Sequence, residues 1–228
     1  MNQELPDTPE DEELALSSLV YALLEEKYGK NGQNPKPYHN LEHTKRVVAA
    51  AQKIAREMGL DQKKIERISI AALCHDLEQA AGSGESERLS AEWAVEEMRK
   101  RGYSEEDCSD VYEMILGTIT SLQNDTLTQA ASASNNVGAR IVADADLSTL
   151  GEATDIYMTS FNNLVEEQTG AKLESFSRPE IAKMALQQVR ILKNHQFLTE
   201  EANTLFANKN DNIDAARSRA IRLVPPDE

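Results

Sequence analysis

The feature that most constrains the fold of this chain is a helical pattern in which histidines and aspartates occupy positions expected to be buried. His43 starts an apolar series that continues through Val47 and Ile54 at intervals of three or four residues, so its ring should point inward. His39 precedes it by one helical turn and should lie at the rim of the same face. Alone, such a histidine pair is weak evidence for a site, because histidines often pack or cap helices without binding anything.

Two later segments repeat this arrangement. His75 continues the apolar stripe of Ile68 in the next predicted helix and is followed directly by Asp76. Further on, Asp144 and Asp146 place two carboxylates in an otherwise apolar segment. Three separate segments therefore direct polar, titratable groups toward the interior.

A shared cation would satisfy all of these groups at once. Imidazoles and carboxylates that are buried without partners cost several kcal/mol, so the three segments are expected to meet. Two imidazole nitrogens and two carboxylate oxygens suit Mn, Fe, Co, Ni or Zn better than Ca. Such a set leaves coordination positions for water and substrate, which is typical of a catalytic metal site.

The rest of the chain predicts an all-α protein that folds as a single-domain helical bundle. Apolar residues recur at helical intervals, and no proline occurs between Pro37 and Pro179. No stretch alternates apolar and polar residues as a half-buried strand does. Asp61 is a candidate N-cap for the helix that ends at His75 and Asp76.

The predicted organisation is a disordered acidic tail over residues 1–10 and one helical domain over residues 11–224. Within that domain, the metal-site core spans about residues 36–151 and C-terminal helices occupy residues 152–224. Residues 123–138 contain few apolar side chains and are expected to form a poorly ordered insertion near the site.

A glycine-containing segment and the fourth histidine have no clear place in the predicted metal site. The small, glycine-containing segment Gln79–Ser86 is either a linker between helices or a mobile flap over the substrate. His195 lies in a polar stretch at a predicted helix end and is expected to be a surface or capping residue.

Charge and cysteine content narrow the possible partners and location. A net charge of −15 argues against nucleic acid and against anionic membranes, because both need a basic surface. No apolar run approaches the ~20 residues that span a bilayer, and two isolated cysteines, Cys74 and Cys108, predict reduced thiols in a cytoplasmic protein. A phosphorylated substrate would need local positive charge, for which there are four nearby candidates: Lys45, Arg46, Arg88 and Arg190.

The order of these motifs resembles the HD superfamily of metal-dependent phosphohydrolases, whose ligands are a histidine, a His-Asp doublet and a distant aspartate. The segments that contain His39, His43 and Asp146 are also similar to the metal-site motifs of class I cyclic nucleotide phosphodiesterases, which belong to that superfamily. The resemblance covers roughly residues 36 to 151 and is specific for the superfamily, but not for a substrate.

The resemblance implies that one divalent metal ion is bound by His43, His75, Asp76 and Asp146. It also makes Mg a candidate, in addition to Mn, Fe, Co, Ni and Zn. Asp144 would then be a supporting residue or a helix cap. The catalytic residues would be Asp76, which accepts a hydrogen bond from the metal-bound water, and His39, which donates a proton to the leaving oxygen. A second ion, held with help from Glu78, Glu85 or Glu87, is the alternative to a single metal.

The leading hypothesis is hydrolysis of a phosphoester in a small phosphorylated metabolite or nucleotide. One alternative is a non-catalytic HD module that senses or binds a nucleotide or partner, although such modules tend to lose ligands that are present here. Another is an HD-type di-iron oxygenase, which ranks lower because the chain contains only four histidines. The sequence gives no indication of the oligomeric state.

Overall fold

The computed structural model describes residues 9–79 and 84–223, with side chains of the first helix described from residue 15 onward. In chain order, the elements are α1 (Pro9–Tyr28), α2 (Leu41–Glu57), α3 (Gln62–Cys74), α4 (Glu85–Lys100), α5 (Glu105–Leu116), β1 (Thr120–Gln123), β2 (Thr126–Gln129), α6 (Val137–Asp146), α7 (Thr154–Thr169), α8 (Arg178–Asn194), α9 (Glu200–Leu205) and α10 (Lys209–Leu223). Short 3-10 helices at Ala130–Ala133, Ser148–Leu150 and Leu173–Ser175 connect some of them. The predicted helical fold is confirmed.

Helices α2, α3 and α6 pack against one another and form the core around the predicted site. Val47 and Ile54 of α2 and Ile68 of α3 are almost fully buried, as the helical spacing of apolar residues indicated. Asp61 caps α3 by accepting a hydrogen bond from the backbone N–H of Lys64, as predicted. Among the described residues, no helix is long and apolar enough to cross a membrane.

The prediction of a poorly ordered insertion over residues 123–138 is wrong. Residues 120–129 form an antiparallel hairpin in which Leu122 is opposite Leu127. Its two-residue turn consists of Asn124 and Asp125, with φ of 51° and 59°, and these residue types tolerate the left-handed backbone that such a turn needs. Apart from Leu122 and Leu127, the strand residues are polar, so the strands lack the sustained alternation from which a strand is recognised in sequence.

Helices α7, α8 and α10 form a second packed group at the C-terminal side. Leu192 of α8 and Ala216 of α10 are buried in its core. Helices α9 and α10 are separated by a short break over residues 206–208. Two predictions fall partly outside the described residues: residues 1–8 of the tail, after which α1 begins at Pro9, and residues 80–83 of the segment interpreted as a linker or flap.

Candidate metal centre

Three helices bring four predicted ligands to one place. His43 lies in the first turn of α2, whose position is fixed because the Asn40 side chain accepts hydrogen bonds from two backbone N–H groups there. His75 and Asp76 directly follow α3, and Asp146 is the last residue of α6. One ligand atom from each of these four residues lies within 4.8 Å of all the others.

The separations between ligand atoms fit a single cation. His43 Nε2 lies 3.3 Å from both Asp76 Oδ2 and Asp146 Oδ1, and His75 Nε2 lies 3.2 Å and 3.5 Å from the same two oxygens. Two ligand atoms that each lie about 2.1 Å from a metal, at angles between tetrahedral and octahedral, are about 3.0 to 3.4 Å apart. The four side chains are therefore spaced as a coordination shell requires.

Unsatisfied polar atoms also point to a cation. His43 Nε2, His75 Nε2 and Asp76 Oδ2 are buried, and none of them has a hydrogen-bond partner. His75 Nδ1 lies 2.8 Å from the carbonyl oxygen of Ala72, to which it donates when its proton is on Nδ1. That tautomer leaves the lone pair of Nε2 directed at the cluster, as a metal-bound histidine needs.

The electrostatics of the cluster favour positive charge between the carboxylates. Burial lowers the pKa of His75, but the negative charge of Asp76 and contacts with Asp146 outweigh burial and raise this pKa well above its usual value. Burial raises the pKa of Asp146, but contacts with His43 and His75 reverse the effect and lower it to about 2. The pKa of Asp76 is likewise held well below its usual value, against burial, mainly by the charge of His75. A divalent cation would replace the protons that these groups otherwise share.

The cluster is open on its carboxylate side. The His43 and His75 side chains are each 1% exposed, whereas those of Asp76 and Asp146 are each 15% exposed. Water and a substrate can therefore approach from the side on which the carboxylates lie.

His39 is oriented by a residue that the sequence analysis missed. His39 Nδ1 lies 2.6 Å from Glu167 Oε1, and the backbone N–H groups of Tyr38 and His39 both donate to Glu167 Oε2. Burial lowers the pKa of His39, but the charges of Asp76 and Glu167 raise it overall, while contact with His39 lowers the pKa of Glu167 to about 2 against the effect of burial. His39 and Glu167 therefore form a hydrogen-bonded pair beside the cluster, and this contact uses Nδ1 and not Nε2 of His39.

The two aspartates near the end of α6 have different partners. Asp146 belongs to the cluster, and its Oδ2 accepts a hydrogen bond of 3.1 Å from Gln129 Nε2. Asp144 is buried and accepts hydrogen bonds from the backbone N–H groups of Leu198 and Thr199 and from the Thr199 hydroxyl. Asp144 thus holds the chain just before α9, and its side chain is not one of the cluster's four.

Of the four basic side chains that could attract a phosphorylated substrate, three form ion pairs with carboxylates. The ion pairs are Lys45 with Glu42, Arg88 with Glu85 and Glu92, and Arg190 with Asp125. Arg46 makes no ion pair within the described residues, and its buried Nε has no hydrogen-bond partner. Arg46 lies three residues after His43 on α2. Burial raises the pKa of Tyr38, and the positive charge of Arg46 opposes this rise.

The carboxylates proposed for a second ion also differ in their contacts. Glu78 pairs with Lys27, and Glu85 pairs with Arg88. Glu87 makes no ion pair within the described part of the chain, and its pKa is raised by burial and then by the negative charges of Asp76 and Asp146. Of the three, Glu87 is therefore the one that lies in the field of the cluster without a cationic partner.

The prediction for His195 is half correct. It caps the C-terminus of α8, as expected, but its side chain is buried and not at the surface. Its ring packs edge-on against Phe197, and burial, with a contribution from the charge of Lys209, lowers its pKa to about 4. His195 is not part of the metal cluster.

The region that contains this site matches a known protein family. A model of the HD domain family matches residues 40–149, a range that includes all four cluster residues. No curated protein matches the chain.

Several solved structures share the fold at low sequence identity. Bacillus subtilis YpgQ in complex with ADP is 17% identical, with a TM-score of 0.62 over 94% of this chain and 95% of that one. The phosphodiesterase domain of the RhoPDE fusion protein from the choanoflagellate Salpingoeca rosetta is 14% identical, with a TM-score of 0.62 over 96% and 94%. A predicted HD superfamily hydrolase from an uncultured Thermotogales bacterium is 19% identical, with a TM-score of 0.53 over 92% and 91%.

Proposed function

We propose that this chain, whose residues 40–149 match a model of the HD domain family, is a metal-dependent phosphohydrolase. It would cleave a phosphoester bond in a small phosphorylated metabolite or nucleotide. The observation that carries the proposal is the convergence of His43, His75, Asp76 and Asp146 from three helices on one point, with buried atoms that lack hydrogen-bond partners.

In this proposal the four side chains hold one divalent ion. When bound, the ion would supply a water of lowered pKa and would neutralise charge that develops on the phosphoryl group. The donor set of two imidazoles and two carboxylates suits Mn, Fe, Co, Ni or Zn, and it is also compatible with Mg.

The protein's own groups would position the reactants and move protons. Asp76 lies at the open side of the cluster, where one of its oxygens can accept a hydrogen bond from the attacking water. His39, protonated and held through Nδ1 by Glu167, would donate from Nε2 to the leaving oxygen. This division of roles needs an acid whose pKa lies above its ordinary value, which is the direction found for His39.

The substrate must carry a phosphate that overcomes the net charge of −15. The charge of the bound ion and the unpaired guanidinium of Arg46 would provide local attraction. YpgQ has been seen in complex with ADP, and this supports a nucleotide as the first class of substrate to test. We also propose a cytoplasmic location, which is consistent with the two free cysteines.

The test combines metal analysis with a screen of phosphoester substrates. Purified protein would be assayed for bound metal and for phosphate release from nucleotides and sugar phosphates, with and without added Mn or Co. We expect activity that depends on metal and that falls to background in His75→Ala and Asp146→Ala. Asp211→Ala, which removes an exposed carboxylate of α10, is the matched control and should retain both metal and activity.

Two results would count against the proposal. If His75→Ala and Asp146→Ala retained full metal content and turnover, the cluster would not be the active site. If the wild-type protein bound metal and nucleotide but hydrolysed none of the substrates, the non-catalytic binding module would be the better description.

A further inference from the structure

The side chain of Gln129 binds one oxygen of the Asp146 carboxylate, while the other oxygen faces the two histidines. Gln129 is 6% exposed, and its Nε2 donates to Asp146 Oδ2 at 3.1 Å. Asp146 Oδ1 is the oxygen that lies 3.3 Å from His43 Nε2 and 3.5 Å from His75 Nε2. One carboxylate oxygen therefore belongs to the cluster, while the other is held by an amide.

The position of Gln129 is set by the hairpin, which is fixed at both ends. Gln129 pairs with Thr120 at the open end of the hairpin. There, the backbone N–H groups of Ala130 and Ala131 donate to the carbonyl oxygens of Ile119 and Gly117, just after α5. At the turn, Asp125 Oδ2 accepts from Arg190 Nε at 2.5 Å, and its carbonyl oxygen accepts from the Asn194 side chain at 3.2 Å. The hairpin is thus held between the end of α5 and helix α8, and these contacts place Gln129 next to Asp146.

A carboxylate can bind a cation through one oxygen or through both, and the choice affects which cation is preferred. Ca²⁺ accepts six to eight oxygen ligands and often takes both oxygens of a carboxylate, whereas smaller divalent ions need fewer ligands. A donor on Oδ2 competes with a cation for that oxygen and so disfavours bidentate binding. It also fixes the rotation of the Asp146 side chain before a metal arrives.

We propose that Gln129 is a positioning residue that keeps Asp146 a one-oxygen ligand and thereby makes the site discriminate against Ca²⁺. The inference rests on the proposed metal site and adds to it a residue outside the ligand set. It also gives the hairpin a role in cation selectivity.

The experiment measures dissociation constants for Mn²⁺ and Ca²⁺ by calorimetry with metal-free, full-length protein. Gln129→Met keeps the length of the side chain and its burial but removes the donor, and Gln129→Ala serves as a second variant. Thr128→Ala is the matched control, because Thr128 is the exposed neighbour on β2 and its hydroxyl contacts Ser121 O, at 3.4 Å. Circular dichroism checks that each variant is folded.

We expect Mn²⁺ affinity to fall by about 10- to 100-fold in Gln129→Met, as is usual when a partner of a ligand is removed. Ca²⁺ affinity should stay unchanged or rise, so that the ratio of Mn²⁺ affinity to Ca²⁺ affinity falls by at least about tenfold. Thr128→Ala should leave both constants unchanged.

The inference is overturned if both folded variants keep the wild-type constants, or if they lose Mn²⁺ and Ca²⁺ affinity in parallel, as a purely structural role would cause. Those results would leave the proposed function intact, because the wild-type protein would still bind Mn²⁺. Absence of Mn²⁺ binding by the wild-type protein would instead overturn both.

Discussion

The contact between His39 and Glu167 is the single interaction on which the proposed proton transfer most depends. Glu167 accepts three hydrogen bonds from Tyr38 and His39, so it fixes both the backbone before α2 and the imidazole ring. The two residues are far apart in sequence, and Glu167 lies among polar residues at the end of α7. Its removal should therefore change the chemistry without removing a metal ligand.

Glu167→Gln should move the alkaline fall in kcat to lower pH. His39 must be protonated to act as an acid, and Glu167 helps to raise its pKa, so loss of the negative charge lowers the pH at which the proton is lost. We expect kcat at neutral pH to fall by about tenfold or more, with Mn²⁺ affinity unchanged. Profiles of kcat against pH for Glu167→Gln and the neighbouring control Glu166→Gln would test this, and coincident profiles would contradict it.

Arg46→Ala should weaken substrate binding while leaving the metal in place. Arg46 has no ion pair among the described residues, whereas the adjacent Lys45 is already paired with Glu42. Loss of a charged hydrogen bond to phosphate, about 1.5 to 3 kcal/mol, should raise KM roughly 10- to 160-fold. Lys45→Ala is the control, and an unchanged KM in Arg46→Ala would show that this guanidinium does not contact substrate.

At the level of secondary-structure elements, the hairpin of β1 and β2 connects the C-terminal helices to the metal centre. Its turn is held by Arg190 and Asn194 of α8, and its other end carries Gln129. Of its strand residues only Gln129 is buried, while Leu127 packs partly buried against the C-terminal core, so the order of the hairpin depends largely on these polar contacts.

Arg190→Ala should loosen the hairpin without unfolding the protein. The ion pair with Asp125 is partly exposed, with 52% and 26% of the two side chains accessible, and such pairs contribute about 1 kcal/mol at most. Amide hydrogen exchange over residues 120–129 should therefore accelerate by a few-fold. Lys193→Ala, an exposed neighbour on α8, should have no effect, and equal exchange in the two variants would show that Arg190 does not restrain the turn.

At the scale of the whole molecule, the C-terminal helices are joined to α6 and the segment that follows it through buried polar contacts. Asp144 binds the segment before α9, and Asn212 of α10 donates to the carbonyl oxygens of Leu150 and Glu152. His195 lies in this region, with Lys209 donating to its carbonyl oxygen. Protonation of His195 should therefore change the free energy of unfolding of the whole protein.

The free energy of unfolding should contain a His195 contribution that decreases as pH falls from about 6.5 to about 4. The folded pKa of about 4 lies below the unfolded value, so the unfolded chain binds the proton more readily in this window. The His195 contribution is fully present above the pKa of the unfolded state. About 3 kcal/mol of it is lost once the pH has fallen to the pKa of the folded state.

Urea unfolding of metal-free protein at pH 7.5 and pH 4.5 would measure this contribution. His195→Leu, which keeps a buried side chain of similar volume but cannot titrate, should lose less stability than the wild-type protein between the two pH values. Equal losses in the two proteins would contradict the assignment.

The sequence by itself determined the helical fold, the N-cap Asp61 and the convergence of His43, His75, Asp76 and Asp146. These features follow from local spacing: helical periodicity states which side chains face inward, and buried polar groups require partners. That four such residues meet within 4.8 Å is the outcome this reasoning predicted, although their role as ligands stays a prediction.

Only the tertiary structure decided which distant residues support the site. Glu167 beside His39, Gln129 beside Asp146 and Leu198 beside Asp144 are separated in sequence by 128, 17 and 54 residues, respectively. No periodic pattern marks such pairs, because they depend on how helices and hairpin pack in three dimensions. For the same reason, the polar hairpin and the burial of His195 could not be recognised from local sequence, since both are stabilised by contacts with elements elsewhere in the chain.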